Sequence, residues 1–120
     1  MNKKTILIAE DNDSNYMYLW MLLRGDYNVI RAVNGTQAVE SVKKNDSIDL
    51  VLMDIKMPEM TGVEATEIIR QFNPTIPIVM QTSFAFDQDI ELAMRKGASA
   101  YLTKPVLRDP LFAELHRFGL

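Results

Sequence analysis

Short apolar runs alternate with amphipathic patterns along the whole chain, and the links between them are so short that few folds can accommodate the alternation. Ile6-Leu7-Ile8-Ala9, Leu50-Val51-Leu52-Met53 and Ile78-Val79-Met80 are apolar throughout, as expected of strands buried on both faces. Val29-Ile30 and Tyr101-Leu102 are weaker runs that suit the edges of a sheet. Between the runs, apolar residues recur three, four and seven apart in Ala65-Ile68-Ile69-Phe72, Ile90-Ala93-Met94 and Leu111-Leu115-Phe118, with fainter versions in Met17 to Leu23 and Ala38 to Val42. Five strand-then-helix units with short connections imply parallel strands, right-handed crossovers and helices on both faces. Asp13 or Ser14 is the expected cap of the first helix and Asp87 that of the fourth. Asp109 should start the fifth, with Pro110 at its first position. Gly25 and Gly97 stand where helices should stop.

Among doubly wound α/β folds, five strands fit the flavodoxin-like (βα)5 order 2-1-3-4-5. Ligands there sit beyond the carboxyl ends of the strands, near the switch between strands 1 and 3. No linker, repeat or low-complexity segment breaks the pattern, so residues 1–120 read as one domain, long enough to bury a core without disulfides. The absence of cysteine excludes thiolate catalysis and Cys-based zinc sites. A net charge of −3 without any run of Lys or Arg argues against a nucleic-acid or anionic-membrane surface. Nothing approaches a membrane span or the apolar stretch of a signal peptide, so a cytoplasmic location is expected.

The strand ends carry the chemistry. The first strand runs into Glu10-Asp11-Asn12-Asp13 and the third ends in Asp54, which brings carboxylates together at the switch point. Such carboxylates repel one another and need a counter-charge, most simply a divalent cation with oxygen ligands such as magnesium. Glu10, Asp11 and Asp13 could instead simply favour the following helix N-terminus. The fourth strand ends in Thr82-Ser83, and Lys104-Pro105 follows the fifth. A hydroxyl and an ammonium opposite a carboxylate and a cation are what a phosphoryl group needs while a carboxylate oxygen attacks it.

The stretches Ile6-Leu7-Ile8-Ala9-Glu10-Asp11-Asn12, Met53-Asp54-Ile55-Lys56-Met57-Pro58-Glu59-Met60-Thr61-Gly62 and Tyr101-Leu102-Thr103-Lys104-Pro105 resemble the receiver family of two-component signalling over essentially the whole chain. The resemblance implies a phosphorylation-dependent switch. Asp54 would be the phosphoacceptor, and Glu10, Asp11, Asp54 and the backbone carbonyl of Lys56 would hold Mg2+ (or Mn2+). Thr82 and Lys104 would engage the phosphoryl oxygens, with Thr82 and Tyr101 as the switch pair. It also implies a cis peptide before Pro105. The expected donor is a histidine kinase or a histidine phosphotransfer protein. The expected output face is the fourth helix, fifth strand and fifth helix, which is also a candidate surface for a homodimer. Such a domain catalyses only its own phosphorylation and dephosphorylation, so no enzyme acting on an external substrate is expected. Lys56 and Phe84 occupy positions that border the route of the hydrolytic water in the family, where a long cation and a bulky ring either slow dephosphorylation or simply point to solvent. Asn15 together with Glu10 resembles receivers of hybrid sensor kinases. Leu120 falls about where a receiver's fifth helix ends, which suits either a single-domain regulator or a receiver from a longer protein.

Other residues have plainer readings. Met57-Pro58 and Gly62 read as a turn and a permissive backbone site, and Thr61 as a harmless departure from a common acid. His116 is expected to be solvated, and Trp20 and the eight methionines to be packing. Phe84 and Phe86 are candidate partner contacts. The alternative function, a metal-dependent phosphohydrolase with Asp54 as nucleophile, expects a second aspartate two residues later where this chain has Lys56. A flavoprotein of the same fold would have its flavin phosphate repelled by Glu10-Asp11-Asn12-Asp13.

Overall fold

Every residue of the first strand, β1 (Thr5–Ala9), is buried, so it must be covered on both faces and flanked on both sides. The computed structural model, which describes residues 3–83 and 88–120, supplies that cover. The remaining elements are α1 (Asp13–Leu23), β2 (Asn28–Ala32), α2 (Gly35–Lys44), β3 (Ile48–Asp54), α3 (Gly62–Phe72), β4 (Ile78–Thr82), α4 (Gln88–Arg95), β5 (Ala100–Thr103) and α5 (Arg108–Arg117). The strands form one parallel sheet in the order β2-β1-β3-β4-β5. The two weak apolar runs are its edges, as the sequence predicts.

The alternation of side chains along each strand separates two cores. Leu7, Ala9, Val51, Met53, Ile78 and Met80 pack against α2, α3 and α4. Ile6, Ile8, Leu50, Leu52, Val79 and Leu102 pack against Leu19 and Leu23 of α1 and Leu111, Phe112 and Leu115 of α5. The parity that fills the second core carries on to Asp54, the last residue of β3, and past the ends of β1 and β5 to Glu10 and Lys104.

Several local expectations shift. The cap of α1 is Asn12, whose extended backbone lets its side chain accept from the Asn15 amide at 2.9 Å. Asp13 lies inside the first turn and forms an ion pair with Arg31 at 2.8 Å. Helix α5 begins at Arg108 behind Leu107, which provides no side-chain cap, so Asp109 is not its start and Pro110 is its third residue. Proline is tolerated there because first-turn N–H groups have no helical acceptor. Asp87, Phe84 and Phe86 lie outside the described residues. Gly97 follows α4 with φ +117°, a backbone region open to glycine. Met53, Met57 and Met80 are core residues, whereas Met17, Met21 and Met94 are exposed and fill nothing. His116 is exposed, and Trp20 is half-buried under the Arg24 guanidinium.

Candidate active site

Four strand ends meet at the carboxyl edge of the sheet. β1 delivers Glu10 and Asp11, β3 ends on Asp54, β4 ends on Thr82, and Lys104 follows β5 directly. Carboxylate oxygens of Glu10, Asp11 and Asp54 lie within 4.8 Å of one another. Glu10 is fully buried and Asp54 nearly so, while Asp11 is exposed. Lys104 answers this charge from the opposite side, with Nζ 3.0 Å from Asp54 Oδ1 and 3.4 Å from Glu10 Oε1. The peptide between Lys104 and Pro105 is cis, as expected, and the Lys104 amide donates to the Thr82 carbonyl at 2.7 Å.

The single ammonium does not fully offset two buried acids. Burial pushes the Asp54 carboxyl up from its ordinary 3.8 to about 6; the Glu10 charge adds to the rise and Lys104 opposes it. Burial disfavours the Lys104 ammonium, but Asp54 and then Glu10 outweigh that effect and raise its pKa. A second cation would relieve the remaining repulsion. The donor set is all oxygen and partly open to solvent through Asp11, which fits a hard divalent ion that keeps several waters.

The acidic turn is held from three directions. The Asn12 amide donates to Glu10 Oε2 at 3.2 Å, and Asn15 Nδ2 donates to Glu10 Oε1. Arg31 on the edge strand β2 donates from Nε and Nη2 to the Glu10 carbonyl at 3.2 and 3.0 Å, ion-pairs with Asp13 and lies 4.5 Å over the Tyr16 ring. Sequence reasoning missed Arg31. An arginine interrupting an apolar edge strand was the available signal.

On the other side of Asp54, the turn back to α3 is fixed by close approach. The Gly62 amide donates to the Ile55 carbonyl at 2.8 Å, and a Cβ on Gly62 would fall 2.1 Å from the Asp54 carbonyl oxygen. Gly62 is therefore needed for space; the positive φ of this turn falls on Glu59. Thr61 is more than a harmless departure, since it forms a reciprocal capping box with Glu64 at the start of α3.

A cavity lined by Asp54, Ile55, Lys56, Gln81, Thr82, Ser83 and Lys104 opens over the phosphoacceptor candidate. Thr82 is buried, Lys56 exposed, and Tyr101 is 42% exposed on the edge strand. All the predicted site residues except Tyr101 thus gather at one end of the sheet. Tyr101 stands apart from them, on β5 opposite Met80.

This geometry has known counterparts. The family model for the response regulator receiver domain matches residues 6–116. The chain belongs to the response-regulator receiver family. Over 107 residues this receiver is 42% identical to the transcriptional regulatory protein ZraR of Klebsiella oxytoca, covering 88% of this chain and 24% of that protein. It spans only about a quarter of the length of the first such relatives. The receiver domain of the sensor histidine kinase PA1611 from Pseudomonas aeruginosa PAO1, solved with a magnesium ion in its active-site cleft, superposes with a TM-score of 0.90 at 34% identity and 97% coverage of both chains. The receiver of the Saccharomyces cerevisiae response regulator Ssk1, solved with the histidine phosphotransfer protein Ypd1, gives 0.90 at 30% identity, covering 98% of this chain and 90% of that one. Receivers of this kind are phosphorylation-dependent switches of two-component signalling, and this receiver has their fold. None of its described helices is long and apolar enough to cross a membrane.

Proposed function

We propose that Asp54 of this receiver accepts a phosphoryl group from a phosphohistidine on a histidine kinase or histidine phosphotransfer protein, with the 120 residues acting as one unit. The observation that carries this reading is the Asp54–Lys104 ion pair at 3.0 Å, set between an acidic cluster and a cavity that Thr82 lines. A carboxylate oxygen of Asp54 attacks phosphorus, the bond from phosphorus to the histidine nitrogen breaks, and the imidazole leaves with the electron pair. Glu10, Asp11, Asp54 and the Lys56 carbonyl would hold Mg2+ (or Mn2+). A divalent ion bound there neutralises carboxylate and phosphoryl oxygens. Lys104 and Thr82 orient the phosphoryl group by charge and hydrogen bonding.

The domain promotes only this transfer and the later hydrolysis of its own acyl phosphate. The donor sits over α1, where Met17, Tyr18 and Met21 are exposed. The Tyr18 hydroxyl donates to the Val106 carbonyl, which joins this face to the segment after Lys104. The Ssk1 receiver solved with a phosphotransfer protein supports this class of partner. Output leaves through α4, β5 and α5, where exposed Met94 and Tyr101 also give a second copy its contact.

Incubation with acetyl phosphate and magnesium, followed by mass spectrometry, tests the reading. One phosphoryl group on Asp54, lost in Asp54→Asn, is expected; a phosphoryl group on His116, or one retained in Asp54→Asn, overturns it.

A further inference from the structure

Gln81 is fully buried in β4, yet neither its Nε2 nor its Oε1 has a hydrogen-bond partner among the described residues. A buried amide left unmet in both donor and acceptor opposes folding, and an apolar side chain of the same volume would avoid that cost. The other residues of β4 and β5 on this face, Val79, Ala100 and Leu102, are all apolar. Packing alone therefore gives no reason for a glutamine here.

Its position supplies one. Gln81 pairs in parallel register with Asp54 on β3 and with Leu102 on β5, so its side chain leaves the sheet on the same face as Asp54. Glu10 and Lys104 follow the same parity, and Gln81 lines the same cavity as Asp54, Thr82 and Lys104. Its carbonyl also accepts from the Ile55 amide at 3.2 Å, which ties the residue after Asp54 to β4.

We propose that Gln81 is a positioning residue of the phosphoryl site, its amide bonding the Asp54–Lys104 pair once Asp54 carries a phosphoryl group. The proposal rests on the reading of Asp54 as phosphoacceptor. In the resting protein Lys104 is occupied by Asp54 Oδ1 and Glu10 Oε1. Phosphoryl transfer turns one carboxylate oxygen of Asp54 into the bridging oxygen of a mixed anhydride and offers the ammonium new acceptors, the phosphoryl oxygens, above the strand ends. Lys104 and the remaining carboxyl oxygen then need lateral support. Gln81 offers two donors and an acceptor that have already lost their water. The amide is mismatched at rest and satisfied when loaded, which favours the loaded form.

The test follows the Gln81 side-chain NH2 resonances of 15N-labelled protein, assigned by their loss in Gln81→Met, as beryllofluoride and magnesium are added. The resonances are expected to shift on loading. Gln81→Met should keep or raise the thermal midpoint of the unloaded protein and bind beryllofluoride about tenfold more weakly. Wild-type loading that leaves the Gln81 resonances unmoved overturns the proposal on the wild-type protein alone. Equal loss of stability in both states of Gln81→Met also overturns it, since that marks a purely structural amide. Failure of wild type to bind beryllofluoride, or retained binding in Asp54→Asn, brings down the phosphoacceptor reading and this proposal with it.

Discussion

Gly62 meets the backbone of Asp54 so closely that a Cβ on it would lie 2.1 Å from the Asp54 carbonyl oxygen. The obstacle is main chain at the end of a buried strand and cannot rotate aside. Gly62→Ala should therefore destabilise the fold by at least about 2 kcal/mol, and it should also displace Asp54. Urea unfolding checks the first effect, and beryllofluoride binding by the folded fraction checks the second. Wild-type stability in the variant would show that the turn relaxes freely.

Asp54 sets a pH dependence of opposite sign to that of an ordinary salt-bridged acid. Its carboxyl titrates near 6 in the fold against an ordinary value of 3.8, because burial and then Glu10 outweigh Lys104. Below that ordinary value both the folded and the unfolded chain hold the proton, and the group has no effect. As pH rises toward about 6 the unfolded chain releases its proton more readily, so the fold loses stability, of the order of 2–3 kcal/mol. Chelator-treated wild type should lose stability relative to Asp54→Asn across that window and differ from it by a constant amount above it. Thermal melts of both proteins from pH 4 to 8 measure the difference; parallel curves would place the Asp54 pKa near its usual value.

The cation should depend on Asp11 although that residue is exposed. Its carboxylate lies within 4.8 Å of those of Glu10 and Asp54, and Asp11→Asn removes a full charge from beside a dication. Magnesium affinity should fall roughly tenfold or more, with acetyl-phosphate labelling lost in parallel. Equal affinities by isothermal titration would remove Asp11 from the ligand set.

Much of this site can be read from the sequence because parallel strands buried on both faces leave continuous apolar runs, and the residues ending those runs are committed to one edge of the sheet. Glu10, Asp11, Asp54, Thr82 and Lys104 come from that logic. Helix starts are harder to read. Asn12 rather than Asp13 caps α1, since the choice depends on which residue is extended, and that is a backbone property. Arg31 and Gln81 escaped notice for a different reason. Each belongs to the site through its neighbours on adjacent strands, and strand register is absent from a linear reading. The exposure of Met17 and Met21 was hidden as well, because an apolar face on a helix looks the same whether a core or solvent lies beyond it.

Thr82 is expected to link phosphorylation to the output face. It is buried at the end of β4, in register with Thr103, while Tyr101 lies 42% exposed two residues earlier on β5. A phosphoryl group adds about −1.5 to −2 charge and three acceptor oxygens, enough to draw the hydroxyl toward it. On that reading, the space vacated behind Thr82 would admit the Tyr101 ring. Thr82→Ala should still take up beryllofluoride, but the chemical-shift changes across α4, β5 and α5 should shrink to a small fraction of the wild-type ones. Changes of equal size in both proteins would assign the coupling to another residue.

The shared parity of Glu10, Asp54, Gln81 and Lys104 gives the sheet the property of a reading frame. Inserting or deleting one residue within β1, β3, β4 or β5 would do more than lengthen or shorten a strand. It would exchange every inward residue for its neighbour, sending a core methionine or isoleucine to the reacting edge and a carboxylate or ammonium into the apolar layer. Indels should therefore be confined to the connections at the opposite, amino-terminal edge of the sheet, such as residues 25–26 and 45–47, where no strand is shifted against its neighbours.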